Sequence, residues 1–401
     1  MVLHLNQLIN LKFDIQNQNA LKNIPLVFLF LLLVNCKDTT PSSKLNETPA
    51  TQQEALLYAE GFSIEDYQDF KVLTIKNPWP TSEQTFRYAL ISKEMAPKIT
   101  LNRDDYDGIL ITPIEKIVVT STTHIPGLEL LNVENTLIGF PGTDYVSSEK
   151  TRALIDKGSI RELGKNESIN TEVLLELRPE LVMGFGIDGN NKTFDNIQKA
   201  GIPVIFNGEW VEASPLAKAE WIKVFGVLYN KTREADSIFN AIETDYLEAK
   251  VIAKQATKQP TVLSGAMHKD VWYLPSGTSS EGILLKDANA NYLWSDTTAK
   301  GSLSLSFENV FNEAKDADIW ISPSYYPSLD ALEKANAHYT KFEAFQTGEV
   351  YSFVGTTGAT GGVSYFEMGM ARPDLVLKDL IKVCHPELME DYESYFFKQL
   401  K

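Results

Sequence analysis

Ile169-Asn-Thr-Glu172-Val-Leu-Leu-Glu-Leu-Arg-Pro-Glu-Leu-Val-Met183 is the stretch that decides the fold. Asn170 is an N-cap residue, and a helix over Thr171–Leu177 follows it. Pro179 and Glu180 make a turn, and the run Glu180–Met183 reads as a buried strand. A second unit of the same design is Leu305-Ser-Phe-Glu308-Asn-Val-Phe-Asn-Glu-Ala-Lys-Asp-Ala-Asp-Ile-Trp-Ile321. Ser306 is its cap, and its glutamate again falls two residues after the cap.

Helix-turn-strand units alternate on both sides of these two. Lys116–Thr120, Asn135–Phe140 and Ile202–Phe206 read as strands; Pro126–Leu131 and Phe194–Ala200 read as helices, the second ended by Gly201. Further on, Thr261–Ser264, Val271–Leu274, Ile319–Ser322 and Glu349–Phe353 read as strands, and Pro373–Val383 as a helix with another after Pro386. Such alternation implies mostly parallel sheets. Between the two series, Pro215–Ala256 is helical throughout, broken at Asn230. The second helix, Lys231–Gln255, has no Gly or Pro and carries a stripe of Ala235, Ile238, Phe239, Ile242, Tyr246 and Ala249. Ahead of all this, Phe70–Ile75 and Tyr88–Ser92 read as strands. The expected fold is α/β: two lobes with mostly parallel sheets, joined by one long helix. The expected divisions are 55–230 for the first lobe with its leading strands, 231–256 for the linker helix and 257–401 for the second lobe.

Of the 401 residues, 53 are acidic and 37 basic, for a net charge of -16, which argues against a phosphate backbone as partner. Two cysteines, Cys36 and Cys384, supply neither a disulfide framework nor a cysteine zinc site. No metal site and no cofactor is expected.

Ile24-Pro-Leu-Val-Phe-Leu-Phe-Leu-Leu-Leu-Val34 is apolar but too short to span a bilayer, which takes about 20 residues. It has the length of a signal-peptide core, with Lys22 ahead of it. The lead-in is long and carries Asp14, which points to a translation start further along. Asn35-Cys36 resembles a bacterial lipobox, with Asn35 where a small residue is usual. The resemblance implies removal of residues 1–35 and lipidation of Cys36, which would anchor the chain to a membrane. Residues 36–54 then form the lipidated start and a flexible tether rich in Ser, Thr and Pro. Lys37-Asp38 also resembles some surface-export tags, so display on the cell surface is an alternative address.

From Lys116 onward the chain resembles the periplasmic binding proteins of iron–siderophore, haem and cobalamin uptake. Glu172–Val182 is similar to that family's E-x-x-x-x-L-x-P-D-L-V unit, with Glu180 in place of Asp. Arg372-Pro-Asp-Leu-Val-Leu-Lys-Asp-Leu-Ile-Lys-Val-Cys-His-Pro-Glu387 is close to a common family ending. The resemblance implies that the two lobes are Rossmann-like and that the chain is a non-enzymatic, monomeric protein of the periplasm. It would capture an iron chelate, haem or cobalamin between its lobes and deliver it to an ABC permease dimer in the inner membrane. It also implies that one exposed glutamate per lobe, here Glu172 and Glu308, docks on arginine pockets of the permease. Without the resemblance, each glutamate would only complement a helix N-terminus, worth about 0.3–1 kcal/mol.

Ligands of such folds sit beyond the carboxyl ends of the strands. The loops there bring Phe185, Trp210, Tyr325, Tyr326 and Tyr365, rigid contact surfaces with polar tips on Tyr and Trp. Trp272 and Tyr273 alternate in one strand, so at most one of them faces the cleft. His124, after Lys116–Thr120, belongs to the cleft rim; His268 and His338 read as surface residues and His385 as packing. Basic residues are few in these loops, which leans toward a neutral or weakly charged ligand. A rival reading is a nucleotide-dependent enzyme: Gly184-Phe-Gly186-Ile-Asp-Gly189 follows a strand, and Glu209 lies where a ribose-binding acid would.

Overall fold

The computed structural model describes residues 52–80, 82–189 and 191–401. Cys36, the signal segment and most of the tether lie outside the described residues. The described residues form one compact unit.

That unit holds two α/β lobes. In the first, five parallel strands lie in the order Val204–Phe206, Leu181–Gly184, Ile117–Val119, Leu137–Phe140, Arg161–Glu162. Numbered along the chain this is the order 3-2-1-4-5 read from its far edge, the Rossmann arrangement. In the second lobe the order is Asn291–Tyr292, Thr261–Ser264, Ile319–Ile321, Val350–Ser352, and an antiparallel edge, Lys398–Gln399. That is a 2-1-3-4-5 order, the other common doubly wound arrangement.

Thr232–Ala253 is the joining helix. Its first half gives Ala235, Phe239 and Ile242 to the core of the first lobe, and its second half gives Tyr246, Ala249 and Ala253 to the core of the second. One helix thus seats both hydrophobic cores. Tyr246 donates to Asp287 at 2.9 Å and Lys250 pairs with the same carboxylate at 2.7 Å, fixing the helix to the second lobe.

A five-stranded sheet built from Gln52–Gln53, Phe62–Asp66, Lys71–Lys76, Thr85–Ser92 and Gly108–Thr112 precedes the first lobe. Alternate residues, among them Phe62, Ile64, Leu73, Ile75, Tyr88 and Leu90, share a core with Ile117 and Val119 of that lobe. The buried carboxylate of Glu220 accepts the backbone N–H groups of Leu57, Tyr58 and Ala59, which pins the entry to this sheet.

Two expectations change. Val271–Pro275 is a strand, but it belongs to a small antiparallel sheet with Ala266–His268 and Ser302–Leu305. Only Lys269 and Asp270 separate the first pair, too few for the crossover a parallel neighbour needs. After Pro386 there is only a single 3-10 turn, Pro386–Leu388, and the chain then returns as the edge strand. Asp379 directs that return by accepting the N–H groups of Tyr395 and Phe397, each at 2.9 Å, and the Tyr392 hydroxyl at 2.6 Å.

Candidate ligand-binding site

Where strand order reverses, adjacent loops diverge and open a crevice at the carboxyl ends. In the first lobe this happens between Ile117–Val119 and Leu181–Gly184. The loops there are Thr120–His124 and the segment from Phe185. The Phe185 N–H donates to the Thr120 hydroxyl at 2.8 Å, tying them together. Ser121 caps the turn Thr122–His124, which drives His124 inward.

Buried polar groups without partners gather at this point, although such groups are rare in folded proteins. Neither ring nitrogen of His124 has a hydrogen-bond partner. Burial draws its pKa down to about 3, so the ring is neutral. Glu209 accepts from Asn207 Nδ2 at 3.2 Å and from the Thr123 hydroxyl, while its Oε1 has no partner. Burial pushes its pKa up to about 7. Trp210 Nε1 and Asn166 Oδ1 are likewise unpartnered. Contacts link these residues: the Trp210 ring lies 5.5 Å from that of Phe185, and Asn166 Nδ2 donates to the Phe185 carbonyl at 3.2 Å.

The reversal in the second lobe lies between Thr261–Ser264 and Ile319–Ile321. A cavity of about 270 Å³ opens there, with Gly265, Ser322, Glu281 and Tyr365 in its wall. The helix Ser364–Met368 reaches both reversals, since Tyr365 lines this cavity while the helix packs against the turn Thr122–His124. From the same helix Glu367 accepts the N–H groups of Ser147 and Ser148, in the first lobe, at 2.7 and 2.9 Å.

The aromatic residues singled out from the sequence divide between the two faces. Phe185, Trp210 and His124 lie at the first reversal. Tyr365 stacks on Phe353 at 4.3 Å and is largely built into the second lobe. Tyr325 is 67% exposed and touches Phe366, while Tyr326 is half-buried against the core of that lobe. Trp272 is fully buried and Tyr273 is 44% exposed. Glu172 and Glu308 are both exposed, each in the first turn of a helix, Thr171–Leu177 and Phe307–Ala314, capped by Asn170 and Ser306. Sequence reasoning missed Asn166, Glu281 and Glu367. Glu209 it considered only as a ribose ligand.

The nucleotide reading fails here. Trp79, from the loop between strands Lys71–Lys76 and Thr85–Ser92 of the added sheet, packs over Gly186 and Gly189, and the Phe194 ring covers Gly184. The glycines therefore admit the protein's own aromatic rings, and the Glu209 carboxylate is buried among Thr123 and Asn207. Among the described residues no three of His, Cys, Asp and Glu come together as a metal site, and no helix is long and apolar enough to cross a membrane.

Two doubly wound lobes on one rigid helix, with their strand reversals bridged by a single short helix, define a two-lobed solute-binding protein. Residues 117–354 match the family described as periplasmic binding protein, and the chain belongs to that family. Its members bind solutes and are not enzymes. An uncharacterized lipoprotein of Methanocaldococcus jannaschii is 28% identical over 301 residues, 72% of this chain and 69% of that one. A possible iron-binding (periplasmic solute-binding) protein of Staphylococcus epidermidis has a similar structure, with a TM-score of 0.54 at 18% identity over 68% of this chain and 100% of that one. A periplasmic haem-binding protein of Pseudomonas aeruginosa gives a TM-score of 0.54 at 17% identity over 72% of this chain and 98% of that one.

Proposed function

We propose that this chain is the lipid-anchored solute-binding component of an ABC importer. It captures an iron chelate, haem or cobalamin between its lobes and passes it to a permease dimer, with Cys36 as the anchor, the periplasm as its place, and any iron or cobalt belonging to the cargo. The observation that carries the reading is the gathering of unpartnered polar atoms on His124, Asn166, Glu209 and Trp210 at the first strand reversal. Buried donors and acceptors of this kind are costly unless something pairs with them, and a ligand with a hydrogen-bonding periphery would do so. Basic residues are few in the sequence of the cleft loops, which favours neutral or weakly charged complexes over polyanionic ones. Family membership supports solute binding, and the haem and iron named for its structural neighbours are the first ligands to try.

Titrating the purified protein with haem, cyanocobalamin and a ferric hydroxamate, followed by tryptophan fluorescence, tests the reading directly. One of the three is expected to saturate at one equivalent. Native mass spectrometry of protein taken from its host would identify a co-purifying ligand. No binding in the titrations, together with no co-purifying small molecule, would overturn the proposal.

A further inference from the structure

The cavity at the second strand reversal has a floor of Leu284, Leu285, Val376, Leu380 and Phe397, all buried core residues. The cavity of about 270 Å³ opens to solvent above this floor and has room for an apolar group. Its mouth is held open by the backbone. Gly265 and Ser322, which end the two diverging strands, both take left-handed conformations, with φ of 77° and 56°. A Cβ on Gly265 would come within 1.9 Å of the Tyr273 carbonyl oxygen, so only glycine fits there.

The rim differs chemically from the floor. Tyr273, Ser302 and Glu281 are exposed there. Glu281 makes no ion pair with any described residue, and no Lys, Arg or His is among the described residues lining the cavity. An anion entering the cavity would meet a carboxylate that has no ion-pair partner, whereas a cation would meet its counter-charge. The volume lies just below the range of about 300–1,000 Å³ usual for whole ligands, so a fragment fits and a large chelate or macrocycle does not.

We propose that this cavity is a subsite for a slender apolar arm that carries an ammonium group at its base, the arm filling the floor and the ammonium pairing with Glu281 at the rim. The proposal rests on the solute-binding reading only in taking the arm to be part of the captured solute.

The test uses 4-phenylbutylammonium and 4-phenylbutyrate as probes on the mature protein, by calorimetry and ligand-observed NMR. The amine is expected to bind saturably and at least tenfold tighter than the acid. Glu281→Gln should remove that preference by weakening the amine about tenfold, and Leu285→Trp, which fills the floor, should abolish binding of the amine. Because Glu281 is exposed, its variant keeps the test decisive even if Leu285→Trp fails to fold. Equal affinity for the two probes, unchanged amine affinity in Glu281→Gln, or no saturable amine binding would each overturn the subsite. Haem, cyanocobalamin and a ferric hydroxamate titrated in parallel separate the two ideas. Metal-complex binding without amine binding overturns the subsite alone; amine binding without any of the three complexes supports the subsite and counts against the transport reading.

Discussion

Glu367 of the second lobe accepts the backbone N–H of Ser147, in the first lobe, at 2.7 Å. The same carboxylate takes the N–H of Ser148, whose hydroxyl is turned to Glu129. Thr360 adds a hydrogen bond to the Asp144 carbonyl at 2.8 Å, and Gly362 lies so close to Tyr145 that a Cβ would come 2.1 Å from its carbonyl oxygen. The lobes are therefore latched by backbone groups beside the candidate site. Truncating Glu367 to Ala takes the partner from two half-buried N–H groups, at a cost of about 1 kcal/mol each. We expect urea denaturation to show a loss of that order, and a fluorophore pair, one on each lobe, to show a wider distance distribution. Wild-type stability in Glu367→Ala would remove the latch.

Two buried groups at the first reversal make stability depend on pH in opposite directions. The folded chain holds a proton on Glu209 up to about pH 7, whereas an unfolded one releases it near 4.5. Stability contributed by this group therefore falls as pH rises through that window. His124 works the other way: an unfolded chain binds a proton below about 6.5 that the folded chain refuses down to about 3, so its contribution falls as pH drops. At pH 8 Glu209→Gln should be more stable than the parent by up to roughly 3 kcal/mol, with the gain vanishing near pH 4. Denaturation curves across that range check the sign, and a pH-independent difference would contradict the burial argument.

How much of this was readable beforehand depends on distance along the chain. The cap at Asn170, the helix Thr171–Leu177 and the stripe on Thr232–Ala253 follow from neighbours a few residues apart, and the sequence predicts them closely. The strand orders rest on pairing between segments far apart in sequence, which periodicity does not encode. Trp79 enters the glycine loop from a strand connection of a separate sheet, so Gly184–Gly189 looked like an empty phosphate cradle. Phe185, Trp210 and Tyr325 could be assigned to strand ends because their positions after strands are local facts. Glu281 and Asn166 carry no such local signal; only the fold brings them to a cavity wall and to Phe185.

The aromatic residues at the strand ends give a direct binding test. Trp210 has an unpartnered Nε1 beside Phe185, and Tyr325 is exposed next to Phe366. If each anchors the solute, Trp210→Ala and Tyr325→Ala should each weaken binding by about 1–3 kcal/mol. Tyr325→Ala should leave stability near the parent value, because its side chain lies largely outside the core. Calorimetry beside thermal denaturation separates the two effects. Unchanged affinity in both variants would move the solute elsewhere on the cleft.

Anchoring is tested by fractionation. The apolar run ending at Val34 and the following Asn35-Cys36 predict lipidation of Cys36. Cys36→Ser should shift the protein from the membrane to the soluble fraction and leave affinity for the solute intact. Persistent membrane association once residues 1–35 are also removed would point to another attachment.

The two matching glutamates separate delivery from capture. Glu172 and Glu308 each occupy the second position of a capped helix, and both are exposed. If they serve only their own helices, reversing either charge costs about 0.3–1 kcal/mol of stability and transport continues. If each enters an arginine pocket of a permease half, reversal places like charges in a partly desolvated contact, and breaking such a pair costs about 2–5 kcal/mol. We expect Glu172→Arg and Glu308→Arg each to abolish uptake while the dissociation constant for the solute stays at the parent value. Growth on limiting solute, measured beside calorimetric binding for the same variants, distinguishes the cases. Normal growth with both charges reversed would leave these residues as helix-end charges and require a different docking face.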